Sequence, residues 1–289
     1  MTWFILSLLT AFSVASCDAW VKKWFSHLNH YEMLVYPLLY GFPLTLASLI
    51  FVEVPPLDEI FYLSFVVSIP LTIVPLILYM KAIKISPLSL TVPYLSFTPV
   101  FMVGTGYIFL GETPDRWGVA GILSVCIGSY ILNLDGKKWS LIHPFLAVFK
   151  ETGSWLMLIA AFIFSFSAVI GKLAIMHSSV MFFQMTFFVV VTIVMVFLFM
   201  VFRMINLKHL AESPVKGAVA GILLFFHILC HGFAISMTKA AYMVSVKRLS
   251  TLFGVIYGGI IFKEENIPIR FAGALFMFLG ALTILLKAY

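Results

Sequence analysis

The stretch AAYMVSVKRLSTLFGVIYGGIIFK, Ala240 to Lys263, decides how this chain is read. At a helical rise of about 1.5 Å per residue it is long enough to cross a bilayer. Two adjacent cations, Lys247 and Arg248, stand well inside its first half. Each costs about 2.5–3.5 kcal/mol at a helix centre on insertion scales, and less when shallower, so the pair opposes insertion by several kcal/mol. A helix with only a packing role has no use for such a pair. The default reading is a water-filled, anion-attracting cavity inside a bundle of transmembrane helices, with both cations on its wall. They differ by about 100° around a helix, so both can border one space. Arginine offers a planar fork to phosphate or carboxylate, and lysine a compact point charge. The competing reading is snorkelling toward the nearer interface, or pairing with a buried acid.

The rest of the composition agrees with a membrane setting. The 289 residues are 62% hydrophobic and 10% charged, whereas soluble domains sit near about 45–50% and 25%. Long apolar runs exclude a β-barrel, whose strands alternate over short segments. The net charge of +6 is scattered among loops, which argues against nucleic acid as a partner. Cys17, Cys126 and Cys230 lie far apart in apolar runs and read as small buried hydrophobes. Met1-Thr2-Trp3 lacks a charged leader, so the first apolar run reads as a retained span.

Charges, prolines and turn residues bound ten spans: Thr2–Val21, Tyr31–Val52, Ile60–Met80, Pro87–Leu110, Trp117–Leu134, Ser154–Ile175, Val180–Phe202, Lys216–Met237, Ala240–Phe262 and Pro268–Leu286. The expected fold is therefore an all-α integral membrane protein of ten transmembrane helices. Residues 1–134 form one five-helix half and 154–289 the other. The connection 135–153 contains LIHPFLAVF, which suits a short interfacial segment. Sliding the chain by 152 residues places Ala82 on Ala234, Gly106 on Gly258, Glu112 on Glu264, Gly121 on Gly273 and Gly128 on Gly280. Five spans per repeat is an odd number, so the second half enters from the opposite side as an inverted repeat. That plan is typical of secondary transporters, with the substrate site near the midplane between the halves.

The repeated element is an apolar span, an acidic loop (LGETPDRWG, Leu110 to Gly118; FKEENIPIRFAG, Phe262 to Gly273) and a glycine-bearing span. It resembles the EamA-type repeat of the drug/metabolite transporter superfamily, over nearly the whole chain. The resemblance implies ten helices, alternating access, and a central cavity lined by spans 1, 3, 4, 6, 8 and 9. The segment VKRLSTLF, Val246 to Phe253, is similar to the lysine–arginine pair in the ninth helix of triose-phosphate and nucleotide-sugar transporters. That likeness implies phosphate binding by Lys247 and Arg248.

Other polar residues fall within the same spans. His227 and His231 share one face of the eighth span at i, i+4, beside Cys230. The spacing suits a metal or a proton relay, but further ligands and an HExxH pattern are missing, and a polar pair on the cavity wall is the preferred reading. In the fourth span, Tyr94, Ser96 and Thr98 are hydrogen-bond donors beside the repeat mates of the two cations. Pro93 and Pro99, with Pro70 and Pro75 in the third span, free backbone carbonyls and allow kinks. Asp18 and Glu32 are the candidate counter-charges or coupling groups, set against plain interfacial solvation. Lys172 and Lys22 near span ends either widen the positive field or snorkel. Glu112 and Glu264 read as loop residues that cap the following helix or pair with Arg116 and Arg270.

Charge placement and family resemblance disagree about orientation. Of the 18 Lys and Arg residues, two lie within the ninth span, four (Arg116, Lys172, Lys239 and Lys287) fall on the side of the first residue, and the other twelve on the opposite side. The positive-inside rule then puts both termini outside, whereas the resemblance implies both inside. The expected function is a permease moving a small organic anion or phosphate-bearing metabolite. Lys247 and Arg248 would bind the anion, with Tyr94, Ser96, His227 and His231 completing the wall. The alternatives are an exporter of amino acids or neutral metabolites on the same fold, and a non-transporting membrane scaffold. No nucleophile elbow, zinc motif or nucleotide loop points to an enzyme, and no cofactor or metal is expected. The expected partners are a small-molecule substrate and membrane lipid, with a homodimer left open, in the inner membrane of a bacterium or archaeon.

Overall fold

A computed structural model describes residues 1–86, 94–132, 152–262 and 267–287. All regular secondary structure among them is helical. In chain order the helices are α1 (Thr2–Phe25), α2 (His30–Ser48), α3 (Glu59–Ile85), α4 (Thr98–Leu110), α5 (Arg116–Leu132), α6 (Thr152–Met176), α7 (Val180–Val201), α8 (Pro214–Ser236), α9 (Ala240–Lys247), α10 (Ser250–Phe262) and α11 (Ile267–Lys287). Six of them, α1, α2, α3, α6, α7 and α8, are long and apolar enough to cross a membrane, and α4, α5 and α11 carry shorter apolar runs. The protein is a multi-pass integral membrane protein. Apart from the fourth span, whose start at Pro87 lies outside the described residues and whose helix α4 begins at Thr98, the outer helix ends lie within about five residues of the span limits drawn from sequence. The connection around LIHPFLAVF, the acidic residue Glu264 and the residue Pro93 lie outside the described residues.

Local chemistry sets the helix starts. Asn29 caps α2, accepting from the Tyr31 and Glu32 amides at 2.9 and 3.0 Å, while Glu32 returns a carboxylate oxygen to the Asn29 amide at 3.1 Å. This reciprocal pair satisfies amides that the first helical turn leaves open. Asp58 and Ser179 cap α3 and α7 one way only, accepting from the Phe61 and Phe182 amides. The helix α3 runs unbroken through Pro70 and Pro75.

The breaks occur elsewhere. The ninth span, expected as one helix, is two: α9 ends at Lys247 and α10 begins at Ser250. Between them the Leu249 amide bonds the Val246 carbonyl at 3.0 Å, an i→i−3 tightening. The fourth span is interrupted at Ser96–Phe97, where the Phe97 amide bonds the Tyr94 carbonyl at 3.1 Å. Phe97 and Leu249 are 152 residues apart, so both interruptions fall in the repeat register with the same backbone hydrogen bond.

Packing follows small residues, because lipid provides no hydrophobic drive for helices to associate and close van der Waals contact must supply it. A methyl built on Gly121 would meet the Gly280 carbonyl oxygen at 2.8 Å, and one on Gly128 the Gly273 carbonyl oxygen at 2.7 Å. The helices α5 and α11 thus cross antiparallel, backbone on backbone. These contacts are reciprocal under the 152-residue shift, since Gly121 and Gly128 are the mates of Gly273 and Gly280. Likewise α1 packs on α8, and α6, the counterpart of α1, packs on α3.

Candidate functional site

The ninth span brings its cations to the C-terminal end of α9. Unpaired carbonyls at a helix C-terminus favour positive charge, and both Lys247 and Arg248 sit there. Arg248 is buried, with 9% of its surface exposed, and its Nη2 donates to Thr98 Oγ1 at 2.9 Å. The same hydroxyl donates to the Leu95 carbonyl at 2.7 Å, so Thr98 bridges the break of one half to the break of the other. Arg248 Nε has no hydrogen-bond partner. Among the described residues the Lys247 side chain makes no hydrogen bond, and no carboxylate lies within ion-pair distance of either cation.

Other helices deliver polar groups to the same interior region. Asp18 on α1 accepts from the Tyr79 hydroxyl of α3 at 3.2 Å and lies near Lys247 without forming an ion pair with it. His227 and His231 on α8 stack, with ring centroids 5.8 Å apart. His227 Nδ1 donates to the Thr10 carbonyl at 3.4 Å, while His231 Nδ1 is buried without a partner. Both imidazoles lie in the neighbourhood of Lys247. Asp18, Tyr79, His227, His231 and Lys247 are all half-buried. Helices α1, α3, α4, α8 and α9 therefore converge on two cations, one carboxylate and two imidazoles. Among the described residues no group of three or more His, Cys, Asp or Glu side chains is placed to hold a metal ion.

Several expected site residues are used differently. Glu32 is no counter-charge to the cation pair. It is buried at the start of α2, where it completes the Asn29 cap, accepts from the Asn206 amide at 3.0 Å and meets His209 Nδ1 at 3.2 Å. Lys172 neither snorkels nor widens the positive field. It is buried in an ion pair with Glu112 and donates to the Thr238 carbonyl. Glu112 does not cap the helix that follows it or pair with Arg116, because Oε2 accepts from the Ala240 amide at 2.7 Å, at the start of α9. Ser96 is buried with its hydroxyl bonded to Ser129, which ties the α4 break to α5. Tyr94 is buried in a cluster with Ala82 and Met157, and its ring stacks on Phe97. Thr98 contacts Arg248 directly, and Tyr79 joins Asp18. The sequence signal for Tyr79 was weak: one tyrosine among 11, distinguished only by its place on a cavity-lining span.

Two discontinuous helices meeting at buried, unpaired charge in a multi-pass bundle are features of membrane transporters. The chain belongs to the EamA-like transporter family, which matches residues 1–134 and 151–286. It is thus a membrane transporter of the drug/metabolite type. No curated protein matches the chain in sequence. Among solved structures, one crystal structure of a protein aligns over 95% of this chain and 95% of its own length, with a TM-score of 0.68 and 11% identity. That likeness concerns the fold alone.

Proposed function

We propose that the protein is a secondary transporter in which two inverted five-helix halves enclose a chamber and carry a small organic anion across by alternating access. Lys247 and Arg248 hold the anionic group. The observation that carries this reading is the unmet hydrogen-bonding capacity of two cations deep in the bundle. A buried charge without a partner is costly, and a bound carboxylate or phosphate supplies the missing acceptor. The inverted arrangement is supported by the reciprocal glycine contacts of α5 and α11 and by two helix interruptions in one repeat register. Inversion makes the two ends of the chamber near-equivalent, which is what a rocking carrier needs.

A second reading is favoured by one observation. Asp18 lies in the same interior region as Lys247 yet forms no ion pair with it, which leaves its carboxylate open to a ligand's ammonium. An amino acid could place its ammonium at Asp18 and its carboxylate at Arg248. Uptake of radiolabelled metabolites into proteoliposomes, with the Lys247→Ala/Arg248→Ala double variant alongside, separates these readings. An anion carrier loses transport in the double variant and keeps it in Asp18→Asn, whereas an amino-acid carrier loses it in both. Equal flux in the wild type and the double variant would remove the cations from the mechanism.

A further inference from the structure

Resting on the alternating-access reading, we propose that the acidic loop between α4 and α5 is a latch that closes one end of the chamber. It holds α9, the helix that carries the cations, against the opposite half of the protein. The loop begins with Gly111, whose φ of 65° is left-handed backbone that side-chain-bearing residues rarely adopt. The turn is fixed by the Glu112 amide bonding back to the Gly106 carbonyl at 3.1 Å. Gly106 has no side chain, and a methyl built there would meet Glu112 Oε2 at 3.7 Å, so the carboxylate lies along the last turns of α4.

From that position Glu112 acts on two elements of the second half at once. Oε1 pairs with Lys172 of α6, a residue only 6% exposed, and Oε2 accepts from the Ala240 amide at 2.7 Å. The lysine also donates to the Thr238 carbonyl, one residue before the Lys239 cap of α9. A second attachment lies a few residues on. The Asp115 amide donates to the Tyr242 hydroxyl of α9 at 3.1 Å. The Tyr242 ring fits where Gly118 has no side chain, since a methyl there would come within 2.1 Å of the hydroxyl oxygen.

The geometry joins latch to site mechanically. The helix α9 has eight residues, Ala240–Lys247, so about 12 Å of rigid rod separates the latched end from the end bearing Lys247. Its far end adjoins the tightened turn at Arg248–Leu249, a place where an element can swing without unravelling its own hydrogen bonds. Opening this end of the chamber requires Glu112 to leave both partners, and that release frees the rod that positions the cations. Glu112 is thus a positioning residue for the anion site as well as the closure of its exit.

The test needs no substrate, so its outcome is independent of whether anions are the cargo. Ser245 of α9 is fully buried between latch and cations. With Cys17, Cys126 and Cys230 replaced by alanine, Ser245→Cys is labelled in oriented vesicles by an impermeant maleimide supplied to the face that carries residues 111–115. The expected result is slow labelling with the latch intact. Glu112→Gln or Lys172→Met should accelerate it at least about tenfold, because either change leaves a buried charge without its partner. Restoring the ion pair in reverse, Glu112→Lys with Lys172→Glu, should leave labelling fast, because lysine cannot accept from the Ala240 amide. The proposal is overturned if Ser245→Cys labels rapidly with Glu112 and Lys172 in place, if either folded single variant labels as slowly as the parent, or if the reversed pair restores slow labelling. Loss of anion binding in Lys247→Ala/Arg248→Ala bears only on the cargo.

Discussion

Thr98 is a small residue with a large task. Its hydroxyl takes one guanidinium proton of Arg248 and gives its own to the Leu95 carbonyl, so one side chain joins the interruptions of both halves. Thr98→Val keeps the shape and removes the hydroxyl. The expected result, read by thermal unfolding without ligand, is a loss of about 1–3 kcal/mol, the cost of a buried donor left unmet. Stability within a few tenths of wild type would mean that water satisfies Arg248 instead. A different test concerns Asp58, whose carboxyl is held below the usual carboxylate range, first by the Phe61 amide and then by His177 Nδ1 at 2.6 Å. A group whose folded pKa is lowered stabilises the protein above its unfolded value, about 3.9 for aspartate, and loses that contribution as pH falls through the folded value. Asp58→Asn keeps the cap but not the charge. Its melting temperature should therefore lie below wild type at pH 7 and converge on it in acid; a gap constant with pH would contradict the assignment. At this scale the sequence was partly legible. Asn29 followed three residues later by Glu32 is the signature of a reciprocal cap, a signal that the counter-charge reading of Glu32 passed over. The Lys172–Glu112 pair was not legible, because the two residues lie 60 positions apart in different halves and spacing says nothing about such a meeting.

Among elements, the interrupted helices bring Arg248 and Thr98 together. The fourth span gave warning in Pro93 and Pro99, which weaken helical hydrogen bonding locally. The ninth span has no proline, and its interruption could be anticipated only by carrying the fourth span's irregularity across the repeat. The end of α9 shares its backbone hydrogen bond with the break of the fourth span, where no cation stands. The two cations sit beside its last carbonyls, and the backbone tightens to i→i−3 bonds at that point. The turn before Glu112 is a second element-level device. Gly111→Ala forces a side chain into left-handed backbone at a cost of about 1–2 kcal/mol, and it also shifts the carboxylate that follows. The expected outcome is a lower melting temperature together with faster labelling of Ser245→Cys. Reduced stability with unchanged labelling would confine Gly111 to a turn with no bearing on closure.

For the whole molecule, the all-helical membrane class and the two-repeat division were readable because bilayer thickness fixes span length and glycines mark the tightest packing. The structure adds where those glycines meet: Gly121 against Gly280 and Gly128 against Gly273. Gly128→Val would press a branched side chain into the backbone of α11, and overpacking of this kind costs about 1–3 kcal/mol. We expect a clear fall in thermal stability; wild-type stability would show that α5 and α11 can separate freely. Orientation is a property of the whole chain as well. Burial of Lys172 in an ion pair removes one of the four cations counted on the side of the first residue, which sharpens the charge asymmetry. A fluorescent reporter that matures only in the cytoplasm, fused after Tyr289, should therefore stay dark, and bright cells would reverse the placement. The central claim is that the two cations of the interrupted ninth span form the binding site for an anionic cargo. Its most direct test is a thermal-shift screen of purified protein against phosphorylated and carboxylated metabolites, run in parallel on Lys247→Ala/Arg248→Ala. The account predicts at least one anion that raises the melting temperature of the wild type and none that raises that of the double variant; equal stabilisation of both proteins by the same anions would contradict it.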